Sequence, residues 1–232
     1  MHINHLIEKQ QKLQQKNTDF YTATGIHVYF KEPPTSDIDV ESVISKIEST
    51  IPIHLLEEIE MIIVGWFDEF EERDINAFYD SGTVYVSNLQ DDNKDLYDDI
   101  VHEIAHSIES PHGYYLYGDE KIKKEFLAKR VRLHDILWNM GFKAPKSFFR
   151  EVEFNQEFDD FLYKKIGYDT LSQALQGLFI NAYAATSLRE YFATAFTEYY
   201  LDSNHNFLKS VSPAVYEKII GAQKPESLDD SD

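Results

Sequence analysis

His102, Glu103 and His106, in the order HExxH within DDIVHEIAHSIE, are the residues of this chain whose types and spacing best support chemistry. On a helix, positions i and i+4 share a face, so two imidazoles four apart can turn toward one ion, at about 2.0–2.1 Å if the ion is zinc. Glu103 projects about 100° further round the axis, where its carboxylate can take a proton from water without ligating the ion itself. The pattern therefore supports metal-assisted hydrolysis with Glu103 as general base. A structural metal site closes its fourth position and has no use for a base. That weighs against the alternative of a catalytically silent zinc-binding interaction module.

A catalytic zinc takes three protein ligands and leaves its fourth position to water. Two residues compete for the third place. His112 stands ten residues after His102, the spacing of the longer HExxHxxGxxH pattern of metzincin-like peptidases, although Glu109 holds the place of the glycine that lets that helix turn back. Glu190 lies in SLREYFATAFTEYYLD, on a helix whose Phe192, Ala193, Phe196 and Tyr199 form an apolar stripe. It reads either as a ligand or as an exposed acid favoured by the helix dipole.

Several elements are needed to position these residues. Residues 2–17 read as a polar helix, 26–30 as a strand, 37–50 as a helix with Asp37 as its cap, and 61–67 as a buried strand, which together with the intervening helix make a strand–helix–strand unit. The acidic segment 68–74 reads as a loop or short helix. INAFYD, Ser81-Gly82 and TVYVSN have the alternation and turn chemistry of a hairpin. From Asp91 the chain turns helical, with acids in the first turns and Pro111 as the stop. Further helices are expected over 119–140, 147–165, 170–180 and 187–202, and KPESLDDSD as a disordered polar tail. The basic stretch KIKKEFLAKRVRLH reads as a solvated face that balances nearby carboxylates.

Composition narrows the function classes. With 22 Lys and Arg against 41 Asp and Glu, the net charge is -19 over 232 residues, which argues against nucleic acid and anionic membranes as partners. The absence of cysteine removes thiolate ligands, disulfides and a Cys nucleophile, so a metal must be held by His and carboxylates. No apolar run approaches the roughly 20 residues of a membrane span, and the N-terminus lacks the apolar stretch of a signal peptide. A soluble protein is expected, with a monomer as its state.

HEIAHSIE, followed about eighty residues later by EYFATAF, resembles the catalytic domain of anthrax lethal factor and the related Pro-Pro endopeptidases, a branch of the zincins. In that family the third ligand is a Glu in a segment of the form EFFAEAF, and a Tyr seven residues earlier faces the metal. Tyr183 stands seven residues before Glu190 here, and the hairpin FYDSGTVYVS resembles the family's segment ahead of the metal helix. The likeness covers about residues 75–200. Thr194 departs from it, where the family has a second acidic residue that orients a metal-bound His; that bond is then either weakened or supplied by another group such as Glu198. Glu109 departs too, where relatives often carry Asp.

The resemblance implies an α+β, zincin-like metallopeptidase domain over 1–222. Its N-terminal lobe, about 20–112, would hold a small mixed sheet with an edge hairpin, its C-terminal lobe, about 113–222, would be helical, and the active site would lie between them. It implies one catalytic Zn2+ held by His102, His106 and Glu190, with Glu103 as base for a zinc-activated water and Tyr183 as a donor to the oxyanion. The substrate would be a protein or peptide bound in extended form along a strand edge. Analogy implies a secreted, toxin-like protein; the lack of a leader in this chain fits a cytoplasmic one.

Overall fold

The structure is a computed structural model and describes residues 19–34, 37–73, 75–202 and 204–229. The helix expected over 2–17 lies outside the described residues. The protein is α+β, with a five-stranded mixed sheet and mostly helical content. It divides into two compact units, the first ending at Ile108 and the second beginning at Glu109.

In the first unit, β1 (Phe20–Tyr21) and β2 (His27–Phe30) lead through helix α1 (Val40–Thr50) to β3 (Met61–Gly65). A short helix α2 (Asp68–Arg73) follows, then β4 (Ala77–Asp80), β5 (Thr83–Ser87) and the start of α3 (Asn93–Tyr117). The strand order is β1-β2-β3-β5-β4, with β2, β3 and β5 parallel and the two end strands antiparallel to their neighbours. The register pairs Val28 with Ile62, Ile62 with Val84, and Val64 with Val86. These alternate residues are all buried, which is why a slip of one position is disfavoured. On the other face Phe67, Phe70, Phe78 and Tyr85 form an aromatic cluster with paired centroids 4.5–6.4 Å apart.

The β4–β5 turn has positive φ at both central residues, 46° at Ser81 and 86° at Gly82. That is the backbone of a two-residue turn whose twist matches the strands it joins. The cap of helix α1 lies two residues later than its sequence suggests: Asp39, not Asp37, is the cap and accepts from Ser42 N at 3.2 Å. Helix α3 also differs from expectation. Pro111 removes a ladder donor, but the bend is absorbed at His112 (φ -115°, ψ 20°) and the helical path resumes to Tyr117. Tyr115 and Leu116 anchor that last turn: Leu116 is buried, and Tyr115 OH donates to Lys218 O at 2.9 Å.

In the second unit, α4 (Lys121–Asn139) is followed by a 3-10 turn (Phe148–Arg150), α5 (Gln156–Asp160), a π turn (Phe161–Ile166) and α6 (Tyr168–Leu175). A second 3-10 turn (Tyr183–Ala185) leads into α7 (Leu188–Leu201), and α8 (Asn206–Val211), α9 (Pro213–Ala222) and α10 (Glu226–Asp229) complete the unit. The single helix expected over 147–165 is thus three pieces. Its apolar spacing is helical, but Asn155 is extended and caps a fresh start by accepting from Phe158 N at 2.9 Å. The tail expected to lack structure contains α10, with Leu228 buried.

The basic stretch of α4 is a solvated face only in part: Lys121 and Lys124 are exposed, Lys123 is half-exposed, and the three pair with Asp119, Glu120 and Glu217, as expected, but Lys129 and Arg130 turn inward. Ile122, Phe126, Arg130, Leu133 and Leu137 are buried on one stripe, so Arg130 occupies a core position. Lys129 donates to Tyr191 OH at 2.6 Å and to Val211 O, and burial lowers its pKa to about 8 against the pull of Glu125. Helix α7 is also more enclosed than a stripe: Tyr191 through Thr197 are all buried. No helix among the described residues is long and apolar enough to cross a membrane.

Candidate functional site

Val101, Ile104, Ala105 and Ile108 form the packed face of α3 and are essentially inaccessible. Anchoring that face leaves His102 and His106 half-buried on another, with ring centroids 5.0 Å apart and planes at 77°. Glu103 is buried, at 7% exposure.

Glu190 is set by a chain of local bonds. Asn181 Oδ1 accepts from Ala184 N at 2.9 Å, and Thr186 Oγ1 donates to Tyr183 O at 2.8 Å, closing the turn that carries Tyr183. Ser187 then caps α7, its Oγ accepting from Glu190 N at 3.1 Å. Tyr183 itself is 40% exposed.

Among the described residues, one group of three or more His, Asp and Glu side chains is close enough to hold a metal ion. Single ligand atoms of His102, His106 and Glu190 all lie within 4.8 Å of one another. His112 is not in that group. Ligands of a tetrahedral ion at about 2.1 Å stand about 3.4 Å apart, inside the 4.8 Å within which these atoms lie. Two imidazoles and one carboxylate are a donor set suited to zinc, and three protein ligands leave a position open to water or substrate.

Three further features bear on the site. First, Glu109 is buried and fully engaged: Oε1 accepts from Tyr117 OH at 2.5 Å and Oε2 from Arg189 Nε at 2.8 Å. It therefore holds the residue next to Glu190. Burial lowers the Arg189 pKa, but pairing with Glu109 outweighs it and the guanidinium is held up. Second, Thr194 is buried and its Oγ1 has no hydrogen-bond partner among the described residues, so the outer-sphere bond expected of an acid there is not made by Thr194.

Third, Asp95, Asp98, Asp99 and Glu103 form a ladder of like charges up α3. Their spacing of three and four residues was readable as such a ladder, since i, i+4 acids are neighbours. Burial pushes the Asp98 carboxyl up, against the pull of His102. Burial, with Asp95, Asp98 and Glu103 adding to it, raises Asp99 to about 7, although Gln90 Nε2 donates to it at 3.0 Å.

A pH dependence of stability follows from Asp99. Because the fold raises its pKa above the unfolded value of 3.8, the neutral acid is the form that folding favours. Its contribution is complete below about pH 4 and is lost as pH rises through 7. Asp99→Asn, which mimics the neutral form, is expected to gain on the order of 2–4 kcal/mol relative to wild type between pH 5 and pH 8, measured by urea denaturation. An equal difference between the two proteins at both pH values would refute this account.

No family model, curated protein or solved structure matches the chain.

Proposed function

We propose that this protein is a zinc-dependent endopeptidase of zincin-like architecture that resembles the lethal factor catalytic domain and the Pro-Pro endopeptidases. The observation that carries the reading is the grouping of His102, His106 and Glu190 ligand atoms within 4.8 Å, with the buried Glu103 beside them on α3. Zinc, when bound, supplies Lewis acidity that brings water toward a nucleophilic form near neutral pH and polarises a peptide carbonyl.

The chain's own residues do the rest. His102 and His106 present ring nitrogens and Glu190 a carboxylate oxygen, while the open position admits water or substrate. Glu103 accepts the proton of the attacking water on its carboxylate and passes it to the leaving amine nitrogen. The Tyr183 hydroxyl donates to the oxyanion that develops on the carbonyl oxygen. β4, at one end of the sheet order, offers an edge for an extended peptide, so backbone hydrogen bonds would hold the scissile segment.

The test is elemental analysis of the purified protein combined with digestion of a mixed peptide library. About one zinc per chain, with endoproteolytic cleavage that a chelator abolishes and zinc restores, is the expected result. A protein that takes up no zinc, or a zinc-loaded protein that cleaves no peptide, would refute the reading.

A further inference from the structure

Arg130 is the largest fully buried side chain of the described residues, at 0% exposure, and it makes no ion pair among them. Its guanidinium lies 3.9 Å from the Phe158 ring centroid and 5.2 Å from that of Phe126. Nη1 donates to Ala185 O at 2.7 Å and to Thr186 O at 3.2 Å, and Nη2 to Phe148 O. Nε has no partner.

As a stabilising element this is a poor arrangement. A buried cation with an unsatisfied donor carries a desolvation penalty that an apolar side chain of similar volume would avoid. What an apolar side chain cannot do is bind carbonyls. The carbonyls that Arg130 binds open one 3-10 turn, Phe148–Arg150, and close another, Tyr183–Ala185, and the second runs straight into the Ser187 cap and Glu190. The planar fork reaches both turns at once, which a lysine ammonium cannot.

We propose that Arg130 is a positioning residue that clamps the Tyr183–Glu190 segment and so holds the tyrosine hydroxyl and the third metal ligand in place. The assignment of those two residues to a site rests on the function proposed above; the clamp itself does not. A displacement of about 1 Å at a catalytic group can cost on the order of 100-fold in rate.

The test compares Arg130→Lys with Phe158→Leu, a control that loosens the same cluster without touching the carbonyls, at denaturant concentrations that match their stabilities. Hydrogen exchange, zinc affinity by chelator competition, and kcat and KM on a cleaved library peptide are read for each. Arg130→Lys is expected to speed amide exchange in residues 183–190 at least tenfold, and to weaken zinc binding or lower kcat at least tenfold with KM little changed. Phe158→Leu is expected to do neither. Equal exchange in that segment for the two variants overturns the clamp.

Faster exchange in Arg130→Lys with zinc affinity and kcat equal to the control overturns its role in positioning the site. If wild type takes up no zinc but the exchange difference persists, the clamp stands and the proposed function falls. Arg130→Gln replaces the lysine variant if that does not fold. If neither folds while the control does, Arg130 serves global stability and the proposal fails.

Discussion

Glu103→Gln is expected to retain zinc and to lose about 10²–10⁴-fold in kcat/KM for peptide cleavage, the range that general-base catalysis contributes. The substitution preserves shape, which matters because Glu103 is 93% buried by its 7% exposure and tolerates little change in volume. It removes only the capacity to accept a proton. Glu103 does not belong to the group of candidate metal ligands, so zinc content by elemental analysis should equal that of wild type. Cleavage within tenfold of wild type would place the base elsewhere, and loss of zinc together with activity would make Glu103 a ligand or a structural support.

Glu190→Ala is expected to weaken zinc binding by more than about 100-fold, beyond the 10–100-fold effect typical of losing an outer-shell partner. His112→Ala is expected to leave affinity unchanged. The contrast is sharp because the two residues are the rival third ligands of one helix pair of histidines. Ser187 continues to cap α7 in the alanine variant, since it accepts from the backbone N–H of residue 190, so the helix itself should persist. Chelator competition on both variants reads the outcome. If His112→Ala loses the metal and Glu190→Ala keeps it, a metzincin-like site replaces the one proposed here.

The charge environment bears on both results. Asp98 lies one turn before His102 and interacts with it electrostatically, and Glu109 fixes Arg189 beside Glu190 through a bond of 2.8 Å. Asp98 thus acts on one candidate ligand through its charge and Glu109 on the neighbour of another, and groups around a ligand set commonly tune metal affinity. Glu109, read from the sequence only as a departure from a glycine or an aspartate, is the clearest example of a residue whose role depends on what folds against it.

How much was legible in the sequence varied with the range of the physics involved. The His102–His106 face follows from helical periodicity alone, and the Ser81-Gly82 hairpin from the φ preferences of two residues; both are decided within a few positions. The parallel β2–α1–β3 unit was likewise readable, because alternation and helical spacing mark elements whose burial pattern is intrinsic to each. The breaks within 147–165 were not, since Phe148, Phe149, Phe158, Phe161 and Leu162 keep a helical spacing while extended backbone interrupts it.

By itself, then, the sequence determined the helix face that His102 and His106 share, the place of Glu103 beside it, the acidic and thiol-free chemistry any ligand set must respect, and the α+β pattern. The tertiary structure groups Glu190, and not His112, with that pair, since Glu190 is 84 positions from His106 in the chain and only folding brings their ligand atoms within 4.8 Å. It also decided that Arg130 and Lys129 are held inside the helical unit rather than solvated, and that Asp99 titrates near 7. Burial of a charge depends on the partners that surround it, and those partners come from segments distant in sequence, which no local pattern of residue types can specify.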